Sequence, residues 1–218
     1  YSLFVVGTTA LVGALFAAKR GNVDFKTGAV FAVPAFIGVY VVRRFAIPSI
    51  PDTLFTVGSF TVTRDIGILV LFGMLMLGTA YSMIRKAKGA EQKEVKINYA
   101  KVMIEGLIVG AVTGLIGAGG GFLIVPALVL LAGLPMKTAV GTSLMIIAAK
   151  SLLGFVGDVQ SSLQIDWQLL LTVSGIAVGG IIVGGMLAKN IPGAKLKPAF
   201  GWFILAMGVF IISKSLMG

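Results

Sequence analysis

The chain has 218 residues, of which 57% are hydrophobic and 12% charged, with a net charge of +10 and neither cysteine nor histidine. Soluble domains carry about 25% charged residues, so a water-soluble globule is excluded. The absence of Cys and His removes most options for zinc, haem, iron–sulfur and thiol chemistry as well as histidine proton relays, and no cofactor or metal is expected.

Uncharged runs approach the roughly 20 residues that cross a bilayer. Residues 1–18 form the first; they lack the charged n-region of a signal peptide and read as a span. Residues 27–42, 66–84, 167–188 and 198–213 form others, and 106–136 is uncharged throughout. In chain order the pattern predicts helices over 1–18, 26–45, 65–85, 100–117, 121–133, 138–157, 166–189 and 197–216. The fold class is therefore an all-α, polytopic transmembrane protein, and its first partner is the lipid bilayer. The basic residues lie in the short loops between spans, where topogenic charge belongs, so nucleic acid is not expected as a partner.

One stretch is hydrophilic. Arg85, Lys86, Lys88, Lys93, Lys96 and Lys101 stand there against Glu91 and Glu94. Residues 85–100 read as a basic cytoplasmic linker between a first repeat, 1–84, and a second, 101–218. Four matches in the same order support the repeat: Ser2-Leu3 with Ser143-Leu144, Gly13 with Gly154, Val23-Asp24-Phe25 with Ile165-Asp166-Trp167, and Phe72-Gly73 with Phe200-Gly201. Residues 100–142 have no counterpart before Tyr1, so the first repeat is expected to lack its N-terminal part in this chain. With the linker inside, the loop holding Lys19, Arg20 and Lys26 is internal, as is 189–197. Loops 46–64 and 157–165 are then external. Equivalent loops fall on opposite sides, the pattern of inverted-topology repeats. Arg43, Arg44 and Lys214 count against this assignment. Inversion requires 100–117 and 121–133 together to enter and leave on one side, as a re-entrant or broken hairpin.

The tip of that hairpin holds Gly117, Gly119, Gly120 and Gly121. Non-helical backbone at membrane depth is tolerated where it is buried in protein or lines a polar cavity. A helix restarting at Gly121–Phe122 would aim free N–H groups and a positive dipole end at an anion. Close packing is the competing account. It is the preferred one for the Gly106/Gly110/Gly114 and Gly175/Gly179 spacings. Lys150 lies well inside its span, and intramembrane charges face a cavity or a partner. Thr142, Ser143 and Ser151 add hydroxyls on the same helix. The expected substrate-binding set is thus Gly119, Gly120, Gly121, Thr142, Ser143, Lys150 and Ser151. Glu105 reads as a helix-end surface acid or as the carrier of a coupling proton. Asp158 and Asp166 read as loop and N-cap residues. Trp167 and Trp202, read as near span ends, suit interfacial or packing roles.

The run GLIGAGGGFLIVPALVLLAGLPMKTAVGTSL (114–144), then Ser151-Leu152-Leu153-Gly154-Phe155 and Ile165-Asp166-Trp167, resembles the sulfite exporter TauE/SafE family. The resemblance implies a permease in a prokaryotic inner membrane that moves a small sulfur-containing anion such as sulfite or an organosulfonate. Helix N-termini, hydroxyls and Lys150 agree on an anion, and two repeats suit alternating access. A passive anion channel and a non-transporting assembly subunit are the alternatives. An enzyme is not expected, since no charged cluster lies within the spans. A homo-oligomer is compatible with the sequence.

Overall fold

The computed structural model describes residues 1–57, 60–85, 98–116, 121–159 and 166–217. The chain runs α1 (Ser2–Lys19), α2 (Phe25–Val41), a π-helical turn (Val42–Ala46), α3 (Ile47–Ser49), β1 (Thr53–Val57), β2 (Phe60–Thr63), α4 (Arg64–Arg85), α5 (Tyr99–Ile116), α6 (Gly121–Leu130), α7 (Met136–Val159), α8 (Trp167–Lys189) and α9 (Gly193–Met217). Seven helical segments among the described residues are long and apolar enough to cross a membrane. A helix satisfies every backbone group within its own segment, the one local solution open to a single span in lipid. The exception is α6. Its 10 residues reach only about 15 Å at 1.5 Å per residue, half a bilayer core. The expected linker lies outside the described residues except for Arg85 and Asn98–Ala100.

The loop expected over 46–64 holds more structure than its sequence suggests. β1 and β2 pair antiparallel, with Val57 opposite Phe60 and an irregularity between Thr53 and Phe55. Alternating Thr, Phe and Val residues favour such pairing. Arg64 draws this segment onto the start of α4. It donates towards the Ile47 and Ile50 carbonyls and meets the Asp52 carboxylate at 3.2 Å.

Packing runs through paired helices: α2 lies along α5, α4 along α9, and α1 along α7 and α8. Glycine decides how close the first pair comes. A side chain at Gly106, Gly110 or Gly114 would strike the backbone of Phe31, Ala35 or Val39 on α2. The expected packing role of this stripe holds. It fails for Gly175 and Gly179, where an added Cβ meets nothing within 4 Å. The same spacing on α8 faces no described neighbour. The central core gathers Phe31, Met76, Met83, Leu128 and Ile204, all fully buried, from α2, α4, α6 and α9.

Basic termini meet at one end of the bundle. Arg20 donates to the Gly185 carbonyl at 3.0 Å, Lys137 to the Lys189 carbonyl at 3.2 Å, and the Lys26 ammonium sits 4.4 Å from the Tyr99 ring centre. At the opposite end the Asp166 N–H donates to the Tyr1 hydroxyl at 2.9 Å. The loops expected on one side, 19–26 and 189–197, therefore share an end. Gly21 and Gly133 adopt positive φ where the chain leaves α1 and where it turns from α6 into α7, a conformation glycine reaches without a Cβ penalty.

Two acids cap helices. The Asp166 carboxylate accepts from the Leu169 N–H at 3.0 Å, as expected. Asp24 accepts from the Thr27 N–H at 2.9 Å and the Thr27 hydroxyl at 2.6 Å. Asp24→Ala is expected to lower stability by about 1 kcal/mol, with Asp24→Asn close to wild type. Thermal unfolding in detergent checks this. Asp158 falls in the last turn of α7 rather than in a loop, because that helix continues to Val159. Trp202 sits nine residues into α9, not near a span end, because the helix starts at Gly193.

Candidate functional site

α7 carries most of the expected site. Lys150 is half-buried, 14 residues into the helix, about 21 Å from its start at 1.5 Å per residue. It lines a small internal cavity between α2, α5, α6 and α7, together with Ala35, Val39, Val109, Thr113 and Ile124. The wall is apolar apart from the Lys150 stem end and Thr113, so a charge there is screened weakly. Arg43, in the π-helical turn that ends α2, is a second cation on that helix and does not itself line the cavity. Both side chains also make interactions of their own within the protein.

The other expected residues scatter. Thr142 is fully buried, and its hydroxyl oxygen accepts the Asp24 N–H at 2.9 Å. It braces the start of α2, eight residues (two turns) before Lys150. Ser143 is buried and returns its hydroxyl to the Val140 carbonyl at 2.8 Å, within its own helix. Ser151 is buried next to Lys150 in sequence, yet does not line the cavity. Hydroxyls were expected to converge with Lys150; instead Thr142 is engaged across the fold by the Asp24 N–H, and Ser143 by its own helix, as Ser and Thr in helices often are. Gly119 and Gly120 lie outside the described residues. Gly121 is the first residue of α6, where the helix restart was expected, and a Cβ there would sit 3.0 Å from Ile147 of α7.

Three residues acquire meaning only in the fold. Thr113 faces the Lys150 cavity while donating to the Gly110 carbonyl at 3.0 Å. Arg43 stands 107 positions from Lys150, and its place at the end of an apolar run looks like an ordinary terminus. Glu105 is no surface acid: only 6% of it is exposed. Its spacing from Val102, Val109, Val112 and Ile116 is i, i+3, i+7, i+10, i+14, one helix face, and these four belong to or pack on the core.

A larger cavity of about 450 Å³ opens at the basic end between α1, α7 and α8. Gly13, Val140, Leu144 and Ile181 give it apolar walls, while Arg20, Lys137 and Lys189 line it with positive charge. None of its lining residues is acidic.

Seven apolar spans, a half-length helix among them and cationic cavities within the bundle define an integral membrane transporter. The sequence profile of the sulfite exporter TauE/SafE family matches residues 1–211, and the chain belongs to that family. A "Probable membrane transporter protein" of Xylella fastidiosa (strain 9a5c) is 27% identical over 222 residues, covering 98% of this chain and 78% of its own length. The "Probable membrane transporter protein YunE" of Bacillus subtilis (strain 168) is 34% identical over 180 residues, 76% of this chain and 62% of its own length. The "Probable membrane transporter protein MJ0441" of Methanocaldococcus jannaschii is 34% identical over 116 residues, 50% of this chain and 43% of its own length. No solved structure matches the chain.

Proposed function

We propose that the protein carries a small sulfur-containing anion, sulfite or an organosulfonate, across the inner membrane by alternating access between two inverted repeats. The observation that carries this reading is Lys150, a cation 14 residues into α7 that borders a crevice of only about 10 Å³ between α2, α5, α6 and α7, which has to open for an anion to reach it. A sulfur oxyanion offers several acceptor oxygens to such a group, to Arg43 and to the N-terminus of α6. The basic cavity at the α1, α7 and α8 end would concentrate anions at one mouth.

The inverted repeats rest on reciprocal contacts. Leu3 matches Leu144 and Gly13 matches Gly154 in the sequence. A Cβ on Gly13 would lie 3.0 Å from Leu144, and one on Gly154 would lie 3.2 Å from Leu3. The second pair behaves alike. Gly73 faces Gly208 and Ile212, while Gly201 faces Ala80 and Ile84; each residue of α4 and its partner in α9 are 128 positions apart. Contacts that exchange in this way, between antiparallel helices, are what a two-fold axis lying across them produces. Such an axis in the membrane plane relates repeats of opposite topology. These contacts support reading 1–84 and 101–218 as the two repeats, with the basic linker between them taken as cytoplasmic from its charge.

The test is thermal stabilisation of the detergent-purified protein by sulfite, sulfate, thiosulfate, sulfoacetate, taurine, acetate and chloride. A ligand at 100 times its Kd stabilises by about 2.7 kcal/mol. Selective stabilisation by a sulfur anion is expected. Equal or absent responses across the panel would overturn the sulfur-anion reading.

A further inference from the structure

We infer that Glu105 is a proton-binding site through which transport is coupled to a proton gradient, an inference that rests on the transporter reading above. Glu105 lies six residues into α5, on the face that Val102, Val109, Val112 and Ile116 turn to the apolar core. Its side chain is 7% exposed, and neither carboxylate oxygen has a hydrogen-bond partner among the described residues. The one cation they place within 4 Å is Lys101, one turn earlier, whose ammonium is 3.7 Å from Oε1 and whose own side chain is 63% exposed. That separation exceeds hydrogen-bond length, and an ion pair with a solvated lysine offsets little of the cost of burial.

Among the described residues, the elements packed on α5 supply no better partner. They are α2, the π-helical turn, α6 and α4. α6 has no ionisable residue. α2 brings Lys26 to this end, where its ammonium is taken up over the Tyr99 ring, and Tyr40 stands at its far end. Arg43 and Arg44 of the turn lie at that far end too. α4 ends in Tyr81 and Arg85, which bond each other at 2.9 Å, and begins with Arg64 and Asp65 at the opposite end.

A carboxylate without hydrogen-bond donors, turned to an apolar core inside a span, is costly when ionised and tolerable when protonated. Lys101 and solvent one turn away give the ionised form a route for its proton. The carboxylate therefore has two states of comparable access: ionised towards Lys101, or neutral and buried. A conformational cycle that changes the wetting of this end of α5 takes up one proton at Glu105 and releases it.

The experiment uses proteoliposomes of the full chain with labelled sulfoacetate, an anion that stays ionised near neutral pH, so that the protons counted belong to the protein. Accumulation is driven by an imposed pH gradient, and exchange is measured at equal pH on both sides. Glu105→Gln is expected to lose gradient-driven accumulation at least tenfold while exchange stays within twofold of wild type. Glu105→Asp should restore part of the accumulation. Glutamine protein that accumulates as wild type does would overturn the assignment. Should the glutamine variant not fold, wild-type accumulation across gradients of both signs decides: indifference to the gradient overturns coupling and leaves transport standing. Wild-type protein that neither binds nor exchanges any sulfur anion overturns the sulfur-anion reading on which the inference rests, a separate result.

Discussion

Lys150→Ala is expected to weaken anion binding by roughly ten- to a hundredfold while the protein stays folded. A hydrogen bond to a charged group contributes about 1.5–3 kcal/mol, and 1.4 kcal/mol is about tenfold in affinity. The magnitude belongs at the upper end because the cavity wall around Lys150 is Ala35, Val39, Val109 and Ile124, and apolar surroundings strengthen charge interactions. Stability should not fall with affinity. Removing an intramembrane cation also removes the cost of holding it there, which offsets the loss of the contacts Lys150 makes in the protein. Lys150→Met separates charge from packing, since it keeps an apolar stem of similar length. Both variants should lose affinity alike in a thermal-shift titration against the selected sulfur anion. A folded methionine variant that binds as tightly as wild type would remove Lys150 from the site.

The spans were legible because a membrane helix is specified locally. Each needs only enough apolar residues in succession, and its backbone is satisfied within itself. The shortness of α6 was legible for the same reason, as Gly121 and the Gly133 turn fence off its apolar run. What a helix face touches is not local. Gly106/Gly110/Gly114 and Gly175/Gly179 have the same spacing, yet the first meets α2 and the second meets nothing within 4 Å. Thr142 looked like a free hydroxyl near Lys150; the fold sets it against the Asp24 N–H, 118 positions away. Glu105 looked like a helix-end acid because it stands near the end of an apolar run. Only the packing of α5 on its neighbours determines that this turn points inwards.

Gly110→Ala is expected to destabilise the bundle by about 3 kcal/mol, a large share of the 5–15 kcal/mol that holds a typical protein folded. The added Cβ would strike the Ala35 carbonyl oxygen and lie 2.5 Å from the Ala35 Cα and 2.7 Å from its carbonyl carbon. These are backbone atoms of an intact helix and have no rotamer to change. The two helices must separate, and Gly106 and Gly114 lose their seats against Phe31 and Val39 with them. In a bilayer such close approach supplies much of the attraction between helices. Gly179→Ala is the matched control: with nothing within 4 Å of its Cβ, it should be neutral or gain up to about 1 kcal/mol from helix propensity. Unfolding in denaturing detergent compares the two, and equal midpoints would refute the seam. Ala35→Gly should not rescue Gly110→Ala, because the obstruction is the Ala35 backbone and not its methyl group. Gly110 also lines the Lys150 cavity. The separation that lowers stability should therefore widen the enclosure around Lys150 and lower anion affinity in the protein that still folds, whereas Gly179→Ala should leave affinity unchanged.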